Sequence, residues 1–350
     1  MFRRPEVCMD FQATLTEQSE VRIRLDALET LPRIAVLIPC FNEESTIATV
    51  VQNIRAELPD TQIYVFDNNS TDRTVERARE HGAVIFHERR QGKGFVVQSM
   101  FREIDADIYV MLDGDGTYPA ASVHALLEPV LANRADMVVG SRLDPAGQSQ
   151  FHWMNRLGNH IFLFLTRALF GVRIHDMLSG YRAFRRNIVK QLPLFSQGFE
   201  IETELTIKAL QRGYRIIEIP IHLSNRPAGS YSKIRHAHDG VSIMGTIFSL
   251  ARDYKPLTVF GSVGLLFLAA GCIPGTELIL EFLRTGSISR LAPAVLAVGL
   301  ALSGLIIGTA GLLLHTVVRR FQELELQMRF LGRDYSDTIR EPGTRIEKTR

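Results

Sequence analysis

Two uncharged apolar runs near the end of the chain limit what it can fold into. Residues 257–273 read LTVFGSVGLLFLAAGCI, and residues 291–318 read LAPAVLAVGLALSGLIIGTAGLLLHTVV. A helix needs about 20 apolar residues to cross the hydrocarbon core of a bilayer. The second run reaches that length outright. The first reaches it by continuing through PGTEL, with Glu277 near an interface. The competing reading is a pair of buried core helices, but those are usually shorter and carry a polar side. A transmembrane hairpin over 257–318 is the expectation. Arg252 and Lys255 precede it, and Arg319 and Arg320 follow it, while its short connection mixes Glu277, Glu281, Arg284 and Arg290. The outer flanks are the more basic, so both chain ends and everything before Arg252 are expected in the cytoplasm. Gly299, Gly304, Gly308 and Gly311 suit close helix packing, either within the hairpin or between subunits of a homo-oligomer, a tetramer or dimer.

The remaining 1–256 and the tail 319–350 read as soluble or surface-bound. The formal net charge of the 350 residues is +2, which gives no reason to expect a nucleic-acid partner. Cys8, Cys40 and Cys272 lie far apart and form no CxxC pair, so no disulfide framework is expected. Residues 1–32 are charged throughout and lack the apolar core of a secretory signal. They are expected to be an extension without an assignable role.

Between them, short β-rich runs alternate with helical stretches. Strands are expected at 34–39, 63–67, 83–88, 108–113, 137–142 and 216–221. NEESTIATVVQNIRAEL has apolar residues at helical spacing with acids in its first turn, and STDRTVERAREHG opens on a capping Ser or Thr and closes on Gly. Continuous apolar strands joined by helices predict an α/β fold: a mostly parallel sheet with helices on both faces. The catalytic domain is expected over 33–238. Two further segments are amphipathic rather than spanning: 152–172, with Arg156, His160 and Arg167, and 239–256, which leads into the hairpin. Each either lies in the membrane interface or packs on the sheet as an ordinary core helix.

In such sheets ligands bind at the carboxyl ends of strands. That rule points to PCFNEE, FDNNS, DGDG and GSR. The stretch IYVMLDGDGTYP is the most informative, because its apolar run stops at Asp113 and Asp115. Asp-Gly between apolar runs is a hairpin signal. However, the helical stretch TYPAASVHALLEPVLANRA follows instead of a pairing strand, and two carboxylates at a strand end suit Mg²⁺ or Mn²⁺. Pro39, Phe41 and Glu43 can border a nucleoside, and Phe66, Asp67 and Asn68 end the next strand where a base or ribose could bond. The bland alternative for these loops is helix capping and turn formation. Lys93 in QGKG offers a point charge for phosphate, although no Walker A loop or GxGxxG is present. HAHD at 236–239 lacks the further ligands of a metal site.

The ordered set VLIPCFNEESTI, VFDNNSTDRT, RRQGKG, VMLDGDGTYPA, GSR, DMLSGYRAFRR, FEIETEL and RPAGSYSKI resembles the family 2 glycosyltransferases of the GT-A fold. Within them it is most similar to the polyprenyl-phosphate hexose synthases, over residues 33–240. The resemblance implies a Rossmann-like sheet and a DxD-type metal site at Asp113 and Asp115. It implies a nucleotide-sugar donor bordered by Pro39, Phe41, Glu43, Phe66, Asp67, Asn68, Lys93, Gly114, Arg226 and Lys233. It also implies a polyprenyl-phosphate acceptor met by Arg142, Arg156, Ser179, Arg182 and Glu202, with Asp176 orienting basic groups. RPAGSYSK carries one residue more than the family's RxxGxSK spacing.

The chemistry that follows is inverting transfer. A polyprenyl phosphate is already anionic near neutral pH, so it needs positioning more than a general base. The larger burden is charge developing on the leaving nucleotide diphosphate. The expected site is the cytoplasmic leaflet of a bacterial inner membrane, with a UDP-sugar favoured over GDP-mannose. A processive polysaccharide synthase is the nearer rival, but the single tryptophan, Trp153, sits in FHWMNR and not in a QxxRW motif. A catalytically silent nucleotide-binding scaffold is the rival from another class.

Overall fold

The structure is a computed structural model that describes residues 32–142, 153–171, 174–224, 236–287 and 290–340. The expectations for Arg226, Lys233 and the N-terminal extension before residue 32 lie outside those residues. The chain divides into two units. One holds residues up to 151 and 175–235, and the other holds 152–174 and everything from 236.

The first unit is a seven-stranded sheet. Its strands are β1 (Ile34–Cys40), β2 (Gln62–Asp67), β3 (Val84–His87), β4 (Ile108–Met111), β5 (Met137–Ser141), β6 (Arg182–Arg185) and β7 (Ile216–Pro220). They are ordered β3-β2-β1-β4-β6-β5-β7. Every pairing is parallel except the two that β6 makes, with β4 and β5. β4 and β5 are buried on both faces, which explains why they read as unbroken apolar runs. Helices α1 (Ile47–Glu57), α2 (Thr74–Glu80) and α4 (Val123–Leu131) contribute to one core. That core is built on Val36, Ile38, Ile63, Val65 and Val110. Helices α3 (Lys93–Glu103), α6 (Arg186–Gln191) and α7 (Ile201–Gln211) contribute to the other, with Leu37, Phe66, Tyr109 and Met111. Alternate residues of each strand therefore feed opposite cores, as the two-residue period of a strand requires.

The chain reverses its direction of travel across the sheet between β1, which leads outward to β2 and β3, and β4 on its other side. Parallel sheets form their ligand crevice at such a switch point, outside the strand carboxyl ends.

The strand β6 is absent from the sequence expectation. RAFR has two arginines in four residues, and a pattern of apolar alternation passes over it. It tolerates burial because Arg182, fully buried, donates to Ser179 O (2.8 Å), Met177 O (2.7 Å) and Thr206 Oγ1 (2.8 Å). The capping expectation also needs correction. Neither α1 nor α2 has a side-chain cap, and the acids of NEES lie before α1 rather than in its first turn. The two loops are laced to each other instead. Glu44 N donates to Asp72 Oδ2, Arg73 N to Glu44 Oε2, Thr71 N to Asn42 Oδ1, and Glu43 N to Thr74 Oγ1.

The second unit contains α5 (Trp153–Phe170), α8 (His236–Tyr254), α9 (Pro256–Thr285) and α10 (Leu291–Arg340). Pro256 opens α9 at a first-turn position, where its missing N–H costs nothing. α9 and α10 pack as a hairpin through small residues. A Cβ on Gly304 would lie 2.6 Å from Gly264 O, and one on Gly271 would lie 3.0 Å from Ala297 O. Gly264, Gly271 and Gly304 thus serve contact within the hairpin. Both helices are long and apolar enough to cross a membrane, and only 17 % and 11 % of their apolar windows are buried. A soluble core helix would hide that surface; these expose it, as a membrane anchor does. On α8, Ile243, Ile247 and Leu250 are buried while Val241 and Phe248 are exposed.

Candidate active site

β4 ends at Met111, so Asp113 and Asp115 lie in the loop just past its carboxyl end. Two packing constraints shape this loop. Thr46 Oγ1 donates to Gly114 O (2.7 Å), and a Cβ on Gly114 would stand 2.7 Å from Cys40 Sγ. Asp113 is pressed against Gly180, where a Cβ would come within 2.7 Å of its Oδ2. The glycine of DMLSGYR thus makes room for the carboxylate. Asp115 Oδ1 accepts from Thr117 N (3.0 Å) and Thr117 Oγ1 (2.6 Å), which fixes the turn.

Lys93, the first residue of α3, places Nζ 2.6 Å from Asp113 Oδ1 and 2.6 Å from Glu202 Oε1 on α7. Glu202 and Lys93 are nearly buried. Burial opposes the ammonium form, but the two carboxylates outweigh it and hold the Lys93 pKa well above the usual lysine range. Lys93 is therefore a fixed cation, unable to act as a base. Glu202, expected at the acceptor phosphate, pairs with the lysine.

Arg142 follows β5 and meets Asp176 in a fork. Nε to Oδ2 is 2.7 Å and Nη2 to Oδ1 is 2.8 Å, and the Arg142 N–H also bonds Oδ2. Burial works against ionisation of Asp176, but the guanidinium more than compensates and its pKa falls below the carboxylate range. Asp176 is set in turn by Glu218 of β7, which accepts from the N–H groups of His175 and Asp176 and from His175 Nδ1. Glu218 escaped the sequence reading, although an acid inside the apolar run IIEIP was a visible signal. Gly180, packed against Asp113, belongs to the loop that also carries Asp176, and the Asp113 charge favours the Arg142 guanidinium. The Tyr118 hydroxyl accepts from Gly180 N (3.0 Å) within this loop. Burial raises its pKa.

Asn68 has its carboxamide fully engaged: Oδ1 accepts from Gly92 N (2.8 Å) and Gln91 Nε2 (3.3 Å), and Nδ2 donates to Glu88 O and Arg90 O. An amide can make four such bonds, so Asn68 holds the loop before Lys93. Phe66 is in the core, stacked on Phe86 at 4.8 Å. Ser179 is buried and donates to Gly140 O, and Arg182 is committed to the backbone described above. Both therefore shape the loop that carries Gly180. Asp67 is nearly buried and accepts from Ser70 N. Pro39 and Phe41 are half-buried at the end of β1 and Glu43 is buried just beyond. Arg156 lies on α5, in the other unit.

The loop before Lys93 is pinned by Glu88, which is buried and receives the Arg90 guanidinium and the Ser99 hydroxyl. The Arg90 bonds dominate and bring its pKa down to about 2. A depressed carboxylate stabilises the fold above its unfolded value near 4.3, and that stability is lost as pH falls through the folded value. The melting temperature of Glu88→Gln should therefore lie below that of the parent above about pH 5, and the gap should close towards pH 2. A gap that stays constant over this range would remove Glu88 as the pin.

Residues 35–193 match glycosyl transferase family 2. Glycosyltransferase AglJ of Haloferax volcanii is 35 % identical over 245 residues, which cover 70 % of this chain and 80 % of that protein. The chain belongs to the family 2 glycosyltransferases. A dolichyl-phosphate hexose transferase of the same organism is 31 % identical over 197 residues, covering 56 % of this chain and 85 % of that protein. Among solved structures, glucosyl-3-phosphoglycerate synthase from Mycobacterium tuberculosis, in complex with Mn²⁺, UDP and glucosyl-3-phosphoglycerate, aligns with a TM-score of 0.55. It is 22 % identical, with 72 % of this chain and 86 % of that chain covered. At that identity the likeness carries the GT-A-like fold.

Proposed function

We propose that this glycosyltransferase moves a hexose-type sugar from a nucleotide sugar, UDP-linked by preference, to a polyprenyl phosphate at the cytoplasmic face of a membrane. The observation that carries this is one site with both signs of charge. Asp113 and Asp115 stand at the strand switch point, Lys93 bonds Asp113, and Arg142 is locked by Asp176 where it feels the Asp113 charge. The apolar hairpin supports a lipid acceptor, and the dolichyl-phosphate hexose transferase relative supports its class. The basic flanks Arg252, Lys255, Arg319 and Arg320 support a cytoplasmic orientation. α8 and α5 belong to the anchor's unit, which favours reading them as interfacial.

The residues fit Mg²⁺ or Mn²⁺. Two carboxylates on one loop are the donor set expected of an ion that completes its shell with phosphate oxygens and water. Asp113 and Asp115 would hold it, and a bound ion would supply Lewis-acid neutralisation of the leaving diphosphate. This chain's own residues do the rest. Lys93, locked as a cation, adds fixed positive charge where the diphosphate develops charge. Arg142, with its fork oriented by Asp176 and Glu218, suits the planar recognition of a phosphate. The acceptor phosphate brings its own anionic nucleophile, so the site must position it and exclude water.

The test is a screen of UDP- and GDP-linked sugars against undecaprenyl phosphate in detergent or vesicles, with mass analysis of the lipid product. Formation of a polyprenyl-phosphate sugar is expected, and transfer only to a soluble acceptor would overturn the reading. Within that assay Arg142→Lys should raise the KM for lipid phosphate roughly tenfold or more, because a point charge cannot replace the fork. An unchanged KM would place acceptor binding elsewhere.

A further inference from the structure

Helix α10 does not stop where its apolar span stops. It runs unbroken from Leu291 to Arg340, past Arg319 and Arg320. The 22 residues from 319 to 340 rise about 33 Å at 1.5 Å per residue. Their hairpin partner has already ended, because Gly311 lies against Phe260 and Pro256, at the very start of α9. An isolated helix of this length is marginal in water without a packed face.

This stretch carries such a face. Val317, Phe321, Leu324, Met328, Leu331 and Tyr335 are spaced 4, 3, 4, 3 and 4 residues apart, the a/d pattern of a coiled-coil seam. Val317, Phe321, Leu324 and Met328 are 50 %, 68 %, 52 % and 65 % exposed. With Phe321 at a and Leu324 at d, Arg320 falls at g and Glu325 at the following e. Those are the two positions that face each other across a parallel seam. Leu324 and Leu331 fall at successive d positions, with Phe321, Met328 and Tyr335 at a.

We propose that residues 317–338 of α10 form a parallel, in-register two-stranded coiled coil with the same segment of a second copy of this chain. Arg320 of each copy faces Glu325 of the other. The parallel sense rests on the membrane reading, since two copies inserted the same way project this helix in the same direction. Three heptads are few for a free coiled coil, but tethering in one bilayer raises the effective concentration of the second copy. The intrachain bond from Arg320 to Glu323 (2.8 Å) is exposed and readily exchanged for the cross-helix pair.

Cysteine cross-linking of the full-length protein in native membranes tests this, in a Cys8→Ser, Cys272→Ser background. Leu324→Cys and Met328→Cys should each give a covalent dimer on mild oxidation, and Glu323→Cys, away from the seam, should not. In the Leu324→Cys protein, Arg320→Glu or Glu325→Arg should lower the dimer yield about twofold to fivefold, and the two together should restore it. No dimer at 324 and 328, equal yields at 323, or no rescue by the charge swap would overturn the proposal. Seating of the stripe on the chain's own catalytic unit or on a different protein would give the first of those results. Alkaline extraction of the membranes checks the anchor independently, so failure of the coiled coil is distinguishable from failure of the membrane reading.

Discussion

Asp115→Ala should lower sugar transfer by about 10²–10³-fold at saturating divalent metal, while the protein stays folded. Asp115 stands in the loop beyond β4, half-buried, with its Oδ1 taken up by Thr117 N and Oγ1. Losing those two bonds costs about 1 kcal/mol each, too little to unfold a unit with two cores. The expected activity loss is larger because, under the proposed function, the charge at this position would answer the leaving diphosphate through a bound ion. Asp115→Asn separates the two effects. The amide oxygen still accepts from Thr117, so the turn and the melting temperature should survive, but the negative charge is gone. Transfer by Asp115→Asn should fall as far as that of the alanine variant. Near-normal turnover by Asp115→Asn, at any metal concentration, would mean that Asp115 is a turn former only. Calorimetric titration of Mn²⁺ with UDP on the same variants gives a second readout, with binding weakened in both.

The alternation of apolar strands and helices made the parallel sheet and its strand-end loops legible in the sequence. Periodicity is a local signal, and β1, β2, β3, β4, β5 and β7 all fall where it places strands. β6 does not, because it buries an arginine whose partners are backbone carbonyls of its own preceding loop and a threonine of α7. No hydrophobic pattern announces a strand stabilised in that way. The candidate site divides along the same line. Asp113 and Asp115 stood out because an apolar run ends on them. Glu202 stood out only through the resemblance, and its pairing with Lys93 was not legible, since the two are remote in sequence. Asn68 shows the converse. Its place at a strand end invited a role in base recognition, yet the loop at 88–92 consumes all four of its bonding positions. Residue type and strand-end position mark a site, but which side chains face ligand and which hold the loops depends on pairings that only the folded chain supplies.

The lysine pairing leads to the largest expected effect on stability. Lys93→Met should destabilise the catalytic unit by about 3–5 kcal/mol, because it strands Asp113 and Glu202 as unpaired carboxylates in a nearly closed setting. Removing the second charge should give much of this back: Lys93→Met with Glu202→Gln should be more stable than Lys93→Met alone. Denaturant unfolding of the full-length protein in detergent, followed by a probe in the sheet unit, measures the cycle. The pH dependence has a definite sign. A lysine whose folded pKa is raised stabilises the fold fully below its unfolded value near 10.4, and that stability is lost only as pH rises through the folded value. The gap between parent and Lys93→Met should therefore stay flat from about pH 6 to pH 9. A loss under about 1 kcal/mol would mean that water already solvates the two acids. Equal stabilities of the single and double variants would mean that Glu202 does not share the charge. The second result would leave Asp113 as the only partner that matters, and the three-residue site would reduce to an ordinary ion pair at its mouth.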